Sequence, residues 1–386
     1  MIKNDNVNVN ANVNVNDHGL RLKNLTLPAL ESFALSLGEQ KFRARQIFKW
    51  MYQKRLPDFS GMANMPKTLR AALAEKAVIG KLEPRRILES SAGDAVKFAF
   101  SLLGTGYAAE SVLLIDGDRR TACLSSQLGC ALGCKFCETA KLGLVRNLSA
   151  EEIIGQLVGI NDYQAAKGDK LVTNVVFMGM GEALGNFESF RAALSIIMHG
   201  DAFNIGARRI TVSTAGVVPS IERLMGEGLA IGLAISLNAW NDEARGRLMP
   251  INRKYPIESL IGAAKRYHSK TGRRVTFEYV LIEGETDTGE AAAALERLLG
   301  GFPCKINLIP VNPAACNLPA PPDGKVERFA EELHKRGLSA TIRKSRGRDI
   351  MGACGQLTGV DVGVDLDVDV DVDVDVDVDV DVKIKR

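Results

Sequence analysis

Between residues 121 and 344 the chain alternates short apolar runs with longer amphipathic segments. The runs are TACLSS (121–126), VTNVVFMG (172–179), RITVST (209–214), IGLAISL (231–237), RVTFEYVLI (274–282), KINLIPV (305–311) and SATIRK (339–344). They are short and rich in Val, Ile and Thr, which predicts strands. Between them, SAEEIIGQLVGI, FESFRAALSIIM, VPSIERLMGEG, IESLIGAAKRYHSK, GEAAAALERLLGG and KVERFAEELHKRG have helical spacing. Strand–helix alternation predicts a parallel sheet, because each helix serves as the crossover to the next strand. Eight such units close a full barrel. The six here predict an α/β fold with an open, partial (β/α)6 barrel over residues 96–345, whose functional residues sit on the loops after the strand ends.

Residues 20–95 read as a small helical domain. LPALESFALSLG has Pro28 near a helix start and Gly38 as a stop. FRARQIFKWMYQKR follows with helical spacing, and Pro57, Gly61 and Pro66 break it before TLRAALAEKA. Both ends are low-complexity. NVNVNANVNVN and VDVDVDVD alternate with period two, a strand signal, yet every Asp of the second would lie on one face and repel its neighbours. Residues 1–19 and 360–386 are therefore expected to be disordered tails.

Charge changes the picture of the helical domain. The formal net charge is +3. Residues 360–386 hold ten Asp against Lys383, Lys385 and Arg386, a balance of −7, so the other residues carry +10. From Glu39 to Arg86 there are twelve Lys or Arg and four Asp or Glu, a local +8. Such a run is either a solvated helical surface or a phosphate-contacting one. Phe42, Phe48, Trp50 and Tyr52 lie among these charges and are expected in the helix core. Hydrophobic residues make up 46% of the chain, enough for a real core. No apolar run opens the sequence, and Leu229 to Trp240 is too short to cross a bilayer. A soluble, cytoplasmic protein is the expectation.

The chain has seven cysteines, and three of them fall in GCALGCKFC, as Cys130, Cys134 and Cys137. An odd number in such a chain points to metal or redox chemistry rather than a disulfide framework. Structural zinc takes four ligands, and no His or fourth Cys is expected nearby. Three buried thiols would fit poorly on a glycine-flanked loop. Three thiolates suit a [4Fe–4S] cluster with one iron left open. On the same barrel end, GMGE (179–182) offers glycines for close backbone approach and a carboxylate, Glu182, for an ammonium group.

C-x3-C-x2-C after the first strand of a partial barrel resembles the radical S-adenosylmethionine enzymes. CLSSQLGCALGCKFC, FMGMGEALGN, RRITVSTAGVVPSI, LAISLNA, PINRKYPIE, CKINLIPVNP and IRKSRGRDIMGACGQL together resemble the RlmN/Cfr family of radical SAM RNA methyltransferases. The likeness runs from about residue 20 to 359. It implies one [4Fe–4S] cluster on Cys130, Cys134 and Cys137, two S-adenosylmethionine molecules per turnover, and an electron donor such as flavodoxin or ferredoxin. It implies a monomer acting on 23S rRNA and tRNA, with no membrane partner.

The resemblance also gives roles to isolated residues. Cys354, in a C-terminal loop over 346–359, would carry the methyl group. Glu110 in AAESVLLI would take the ring proton. Cys123 would attack the Cys354 sulfur, forming a disulfide and freeing the base. Without the resemblance both cysteines read as small buried residues. Gly181 and Glu182 match the cofactor's amino-group site. Ser213, the Ser236-Leu237-Asn238 segment and Asn312 match its other contacts. Cys304 reads as core packing, and Cys316 has no assigned role. The chain has SLNA where the family usually has SLHA, so Asn238 replaces a His. GEAL and RLMPINRKYP lean toward the adenine-C8 branch; CALGC, TAKLG, NP after Val311 and KSRGRDI lean toward C2. C2 methylation is the expectation. The alternatives are C8 methylation and a non-catalytic RNA-binding protein bearing zinc or a cluster.

Overall fold

The computed structural model describes residues 19–102, 107–312, 316, 318–343 and 345–358. Both low-complexity tails lie outside the described residues, so the expectation of disorder falls there too.

The first strand, β1 (Leu20–Arg21), precedes three helices, α1 (Leu27–Ser36), α2 (Lys41–Tyr52) and α3 (Lys67–Lys76). Pro28 sits in the first turn of α1, where its missing N–H costs nothing. β2 (Ala77–Val78) returns to pair with β1. The helical reading then ends early. β3 (Pro84–Glu89), β4 (Ala95–Ser101) and β5 (Ala108–Asp116) form an antiparallel run that joins β6 (Arg119–Cys123). β3 falls in the stretch expected to be helical. Its sequence PRRILE lacks helical apolar spacing, and it becomes a strand through pairing with β4.

A ribbon of β7 (Gln127–Gly129) and β8 (Leu144–Asn147) follows, with the one-turn helix α4 (Glu138–Lys141) between its strands. Then come α5 (Ala150–Ala166), β9 (Asn174–Phe177), α6 (Phe187–Met198), β10 (Ile210–Thr214), α7 (Val218–Gly226), β11 (Gly232–Ser236), α8 (Asp242–Leu248), α9 (Ile257–Thr271), β12 (Val275–Leu281), α10 (Gly289–Leu299), β13 (Cys304–Pro310), α11 (Asp323–Lys335) and β14 (Ala340–Ile342). A ten-stranded sheet has the order β14-β13-β12-β11-β10-β9-β6-β5-β4-β3. From β6 to β14 every pairing is parallel. All seven apolar runs became these parallel strands, and all six amphipathic segments became helices.

Because the strands are parallel, their C-terminal ends open on one side of the sheet. The helix surfaces supply the core: Phe190, Leu194, Ile197, Leu224, Leu260, Tyr267 and Leu295 are buried against the strands. α5 begins with a full capping box, Ser149 accepting from the Glu152 N–H while Glu152 accepts from the Ser149 N–H.

The basic run is partly spent on docking. Arg45 and Lys49 pair with Asp201 and Arg55 pairs with Asp162, while Arg21, ahead of the run, pairs with the buried Glu151. These acids lie on or next to α5 and α6. The local excess counted along the chain thus includes cations that tie the helices to the sheet domain. Among the described residues, Lys54, Lys67, Lys76 and Arg86 are exposed and make no ion pair. Phe48 and Tyr52 are in the core as expected, but Phe42 is exposed beneath the Arg43 guanidinium.

Candidate active site

A cavity of about 560 Å³ opens at the C-terminal ends of the parallel strands. Its lining brings together Cys123, Cys130, Cys134, Cys137, Gly181, Glu182, Ser213, Ser236, Asn238, Asn312 and Cys354. Leu237 and Glu110 do not line it. Leu237 is core, fully buried, and contributes its carbonyl to Arg245 Nε at 3.1 Å.

The three-cysteine loop is tied at several points. Cys130 N–H donates to Gly143 O at 2.7 Å, Lys135 N–H to Leu248 O at 3.0 Å, and Glu138 N–H to Gly355 O at 2.8 Å. Gly129 has φ +73°, and a Cβ there would overlap Gly143 O. Only glycine lets the ribbon close so tightly at the loop's start. The loop is half-buried, not exposed as its sequence suggests. The thiols feel it: burial pushes Cys130 up to about 12 and raises Cys134 and Cys137.

These residues fit an iron–sulfur cluster. Among the described residues no three metal-ligating side chains converge on one point as a single ion would require. A four-iron cluster needs no such convergence, since each thiolate meets a different iron. The cationic core would also offset the burial that now disfavours the thiolates.

Glu182 follows β9 and is buried; burial pushes its carboxyl up to about 7. It accepts from Ala215 N–H at 2.7 Å, which aims it at the end of β10. Its own N–H donates to Gln127 Oε1 at 2.8 Å. Gly181 has φ +88°, and a Cβ there would run into Gln127. A buried carboxyl poised near neutrality suits an ammonium partner, which would favour its ionised form. Asn238 is in the left-handed region at φ 55°. Its Oδ1 accepts from Val280 N–H at 3.0 Å and its Nδ2 meets Met249 Sδ at 3.3 Å. The amide that replaces the usual His is therefore engaged in holding β12.

The remaining two cysteines of interest arrive from far apart in sequence. Cys123 ends β6 and is buried; Cys354 is exposed on the C-terminal loop. The expectation that no fourth cysteine is near the triad fails in space, because folding brings both Cys123 and Cys354 into the same cavity. Burial first, and the neighbouring Cys354 second, push Cys123 up to about 12. Arg343, just past β14, opposes this. Its own guanidinium is held above the ordinary value, first by Cys354 and then by Glu278. Cys123 and Cys354 are both free thiols, so the disulfide that the resemblance implies is not found. Cys304 is buried in β13, and the buried Cys316 meets Asn312 O at 3.6 Å.

Glu110 lies on β5 behind the wall. It pairs with Lys97 at 2.9 Å, and its Oε2 accepts from Thr358 N–H at 2.6 Å. Lys97 also donates to Met351 O at 3.3 Å. One buried ion pair thus holds both shoulders of the Cys354 loop. Thr139 Oγ1 adds a bond to Leu357 O at 2.6 Å. Sequence reading missed Lys97, Gln127, Glu278 and Arg343 as site residues. Arg343 lay inside a quoted motif, but its partners come from other strands.

Known proteins match this architecture. Residues 20–79 match the profile of the ribosomal RNA large subunit methyltransferase N-terminal domain, and residues 124–295 match the radical SAM superfamily. A dual-specificity RNA methyltransferase RlmN from Geobacter sulfurreducens is 45% identical over 344 residues, covering 89% of this chain and 93% of that protein. The Marinobacter nauticus protein of the same name is 46% identical over 335 residues, covering 86% and 90%. The crystal structure of a radical SAM methyltransferase from Sphaerobacter thermophilus superposes with a TM-score of 0.82 at 45% identity, covering 87% of this chain and 98% of that one. With its cysteine loop, GMGE turn and parallel sheet in place, the chain belongs to the RlmN family of radical SAM RNA methyltransferases.

Proposed function

We propose that this protein methylates C2 of an adenine in 23S rRNA and in tRNA, through a methyl group carried on Cys354. The observation that carries this reading is the meeting of Cys123 and Cys354 with the three-cysteine loop in one cavity. A protein that only bound RNA would need neither extra thiol.

Cys130, Cys134 and Cys137 would hold the cluster, and Glu182 the amino group of S-adenosylmethionine. Bound there, the two supply one-electron chemistry that makes a methyl carbon reactive toward an sp² ring carbon; flavodoxin or ferredoxin is the class of donor expected. Cys354 holds that carbon on its sulfur. Glu110 is the expected acceptor of the ring proton, but it stands behind the cavity wall, paired with Lys97 and bonded by Thr358, so it would reach the ring only once the Cys354 loop moved. The Cys123 thiolate then attacks Cys354 Sγ. A sulfur–sulfur bond forms, the carbon–sulfur bond breaks, and its electron pair goes to the former methyl carbon, which takes up a proton. A dithiol or other two-electron donor of the cell would then return two electrons and two protons to the disulfide and restore both thiols. Arg343 supplies the positive charge beside the two sulfurs. The chain is expected to act as a monomer, and no helix among the described residues is long and apolar enough to cross a membrane.

The test is mass spectrometry of rRNA and tRNA from cells with and without the gene. 2-Methyladenosine should disappear with the gene. If 8-methyladenosine disappears instead, the C8 branch is right and the C2 reading fails.

The helical domain supplies the RNA surface in this reading, through backbone and shape contacts. The cations free to do so are those that do not dock the domain. Reversing Lys54, Lys67 and Lys76 to Glu should lower the salt slope of RNA binding by roughly 2 to 3 if each meets a phosphate. Binding of S-adenosylmethionine should be unaffected. An unchanged slope would make this surface merely solvated.

A further inference from the structure

Arg245 on α8 is fully buried, and an isolated buried charge is costly. Its hydrogen bonding is complete. Nε donates to Leu237 O, Nη1 to Asn252 Oδ1 at 2.9 Å and to Tyr255 O, and Nη2 to Ala215 O at 2.7 Å and Ser236 O at 3.0 Å. Every acceptor is neutral. No carboxylate comes within ion-pair distance of Arg245 among the described residues. Asp242 is reached only through the Asn252 amide, which donates to it at 3.0 Å.

The charge sits directly behind the cavity wall. Ala215 and Ser236, whose carbonyls it holds, both line the cavity. The end of its own helix is bonded to the cysteine loop, since Lys135 N–H donates to Leu248 O. Ala244 and Leu248, its neighbours on α8, belong to the apolar group against which Cys134 and Phe136 pack. Burial lowers the guanidinium to about 10, still far above neutral pH, and the nearby Cys134 opposes that shift.

We propose that Arg245 is the counter-charge of the iron–sulfur cluster and sets its reduction potential. An oxidised [4Fe–4S] core with three thiolates carries about −1, and reduction adds another negative charge. A buried cation one layer away stabilises the reduced state more than the oxidised one, and low local dielectric keeps the effect large. Arg245 is a positioning residue as well. It ties the ends of β10 and β11 together, and Ala215, one of its partners, donates to Glu182.

Two variants separate charge from tie. Arg245→Lys keeps the charge and loses the five-donor fork. Arg245→Gln loses both. The measurement is the midpoint potential of the anaerobically reconstituted full chain, by spectroscopically monitored titration, with iron content beside it. Arg245→Gln should lower the potential by a tenfold shift in the reduction equilibrium or more, about 59 mV for one electron, or fail to load. Arg245→Lys should load and stay near wild type. The proposal is overturned if Gln matches wild type, or if Lys shifts or fails as Gln does, because the carbonyl tie alone would then explain the residue.

Discussion

The reconstituted protein is expected to hold about four irons per chain, and Cys130→Ala, Cys134→Ala and Cys137→Ala are each expected to lose the cluster. In the proposed cluster each thiolate would serve a different iron, so removing one would leave that iron without its ligand. The loop itself should stay in place. Its backbone is held at Cys130 by Gly143, at Lys135 by Leu248 and at Glu138 by Gly355, and none of these bonds uses a sulfur. Removing one half-buried sulfur should cost the apo-protein no more than about 1 kcal/mol. Iron analysis, absorbance and thermal unfolding of the apo-proteins together distinguish a lost ligand from a lost fold. Variants that kept full iron and its absorbance, or a wild type holding one zinc, would contradict the assignment of the loop.

Cys354→Ala and Cys123→Ala are expected to fail differently, although each removes one sulfur. On the proposed mechanism the Cys354 variant would lack the carrier. It should load its cluster and cleave S-adenosylmethionine slowly, yet transfer nothing to RNA. On the same proposal the Cys123 variant would still accept the methyl group and add it to adenine, with no thiolate left to attack Cys354 Sγ. It should accumulate a covalent protein–RNA adduct through Cys354. The geometry favours a clean comparison. Cys354 is exposed, so its loss leaves no cavity, and Cys123 is a small residue at a strand end. Denaturing gels with and without ribonuclease read the adduct. Methylated RNA from the Cys354 variant would remove the carrier role. Adduct-free turnover by the Cys123 variant would mean another group resolves the intermediate. Cys316 is the remaining thiol near the site, through Asn312.

Much of this protein was legible along the chain because its signals are local. The parallel strands and their helices follow from apolar runs and helical spacing, which depend on a few neighbouring residues. The cysteine triad is local too: C-x3-C-x2-C lies within one loop, and its spacing survives in any fold that exposes that loop. Glycine positions such as Gly129 and Gly181 carry a local backbone demand, a positive φ.

What the sequence could not reveal were meetings between distant segments. PRRILE became a strand only by pairing with β4, because its own pattern is weak. The basic run near the N-terminus looked like one free surface, yet Asp162 on α5 and Asp201 after α6 neutralise part of it. Cys123 and Cys354 have no spacing in common, and Lys97 and Arg343 carry no motif that names their partners. Arg245 would pass for a surface helix residue beside Asp242 and Glu243, but packing buries it among strand-end carbonyls. Hydrogen bonds and charge coupling act through space over a few ångströms. The residues they join are chosen by how strands order in the sheet, so only the tertiary structure decides them.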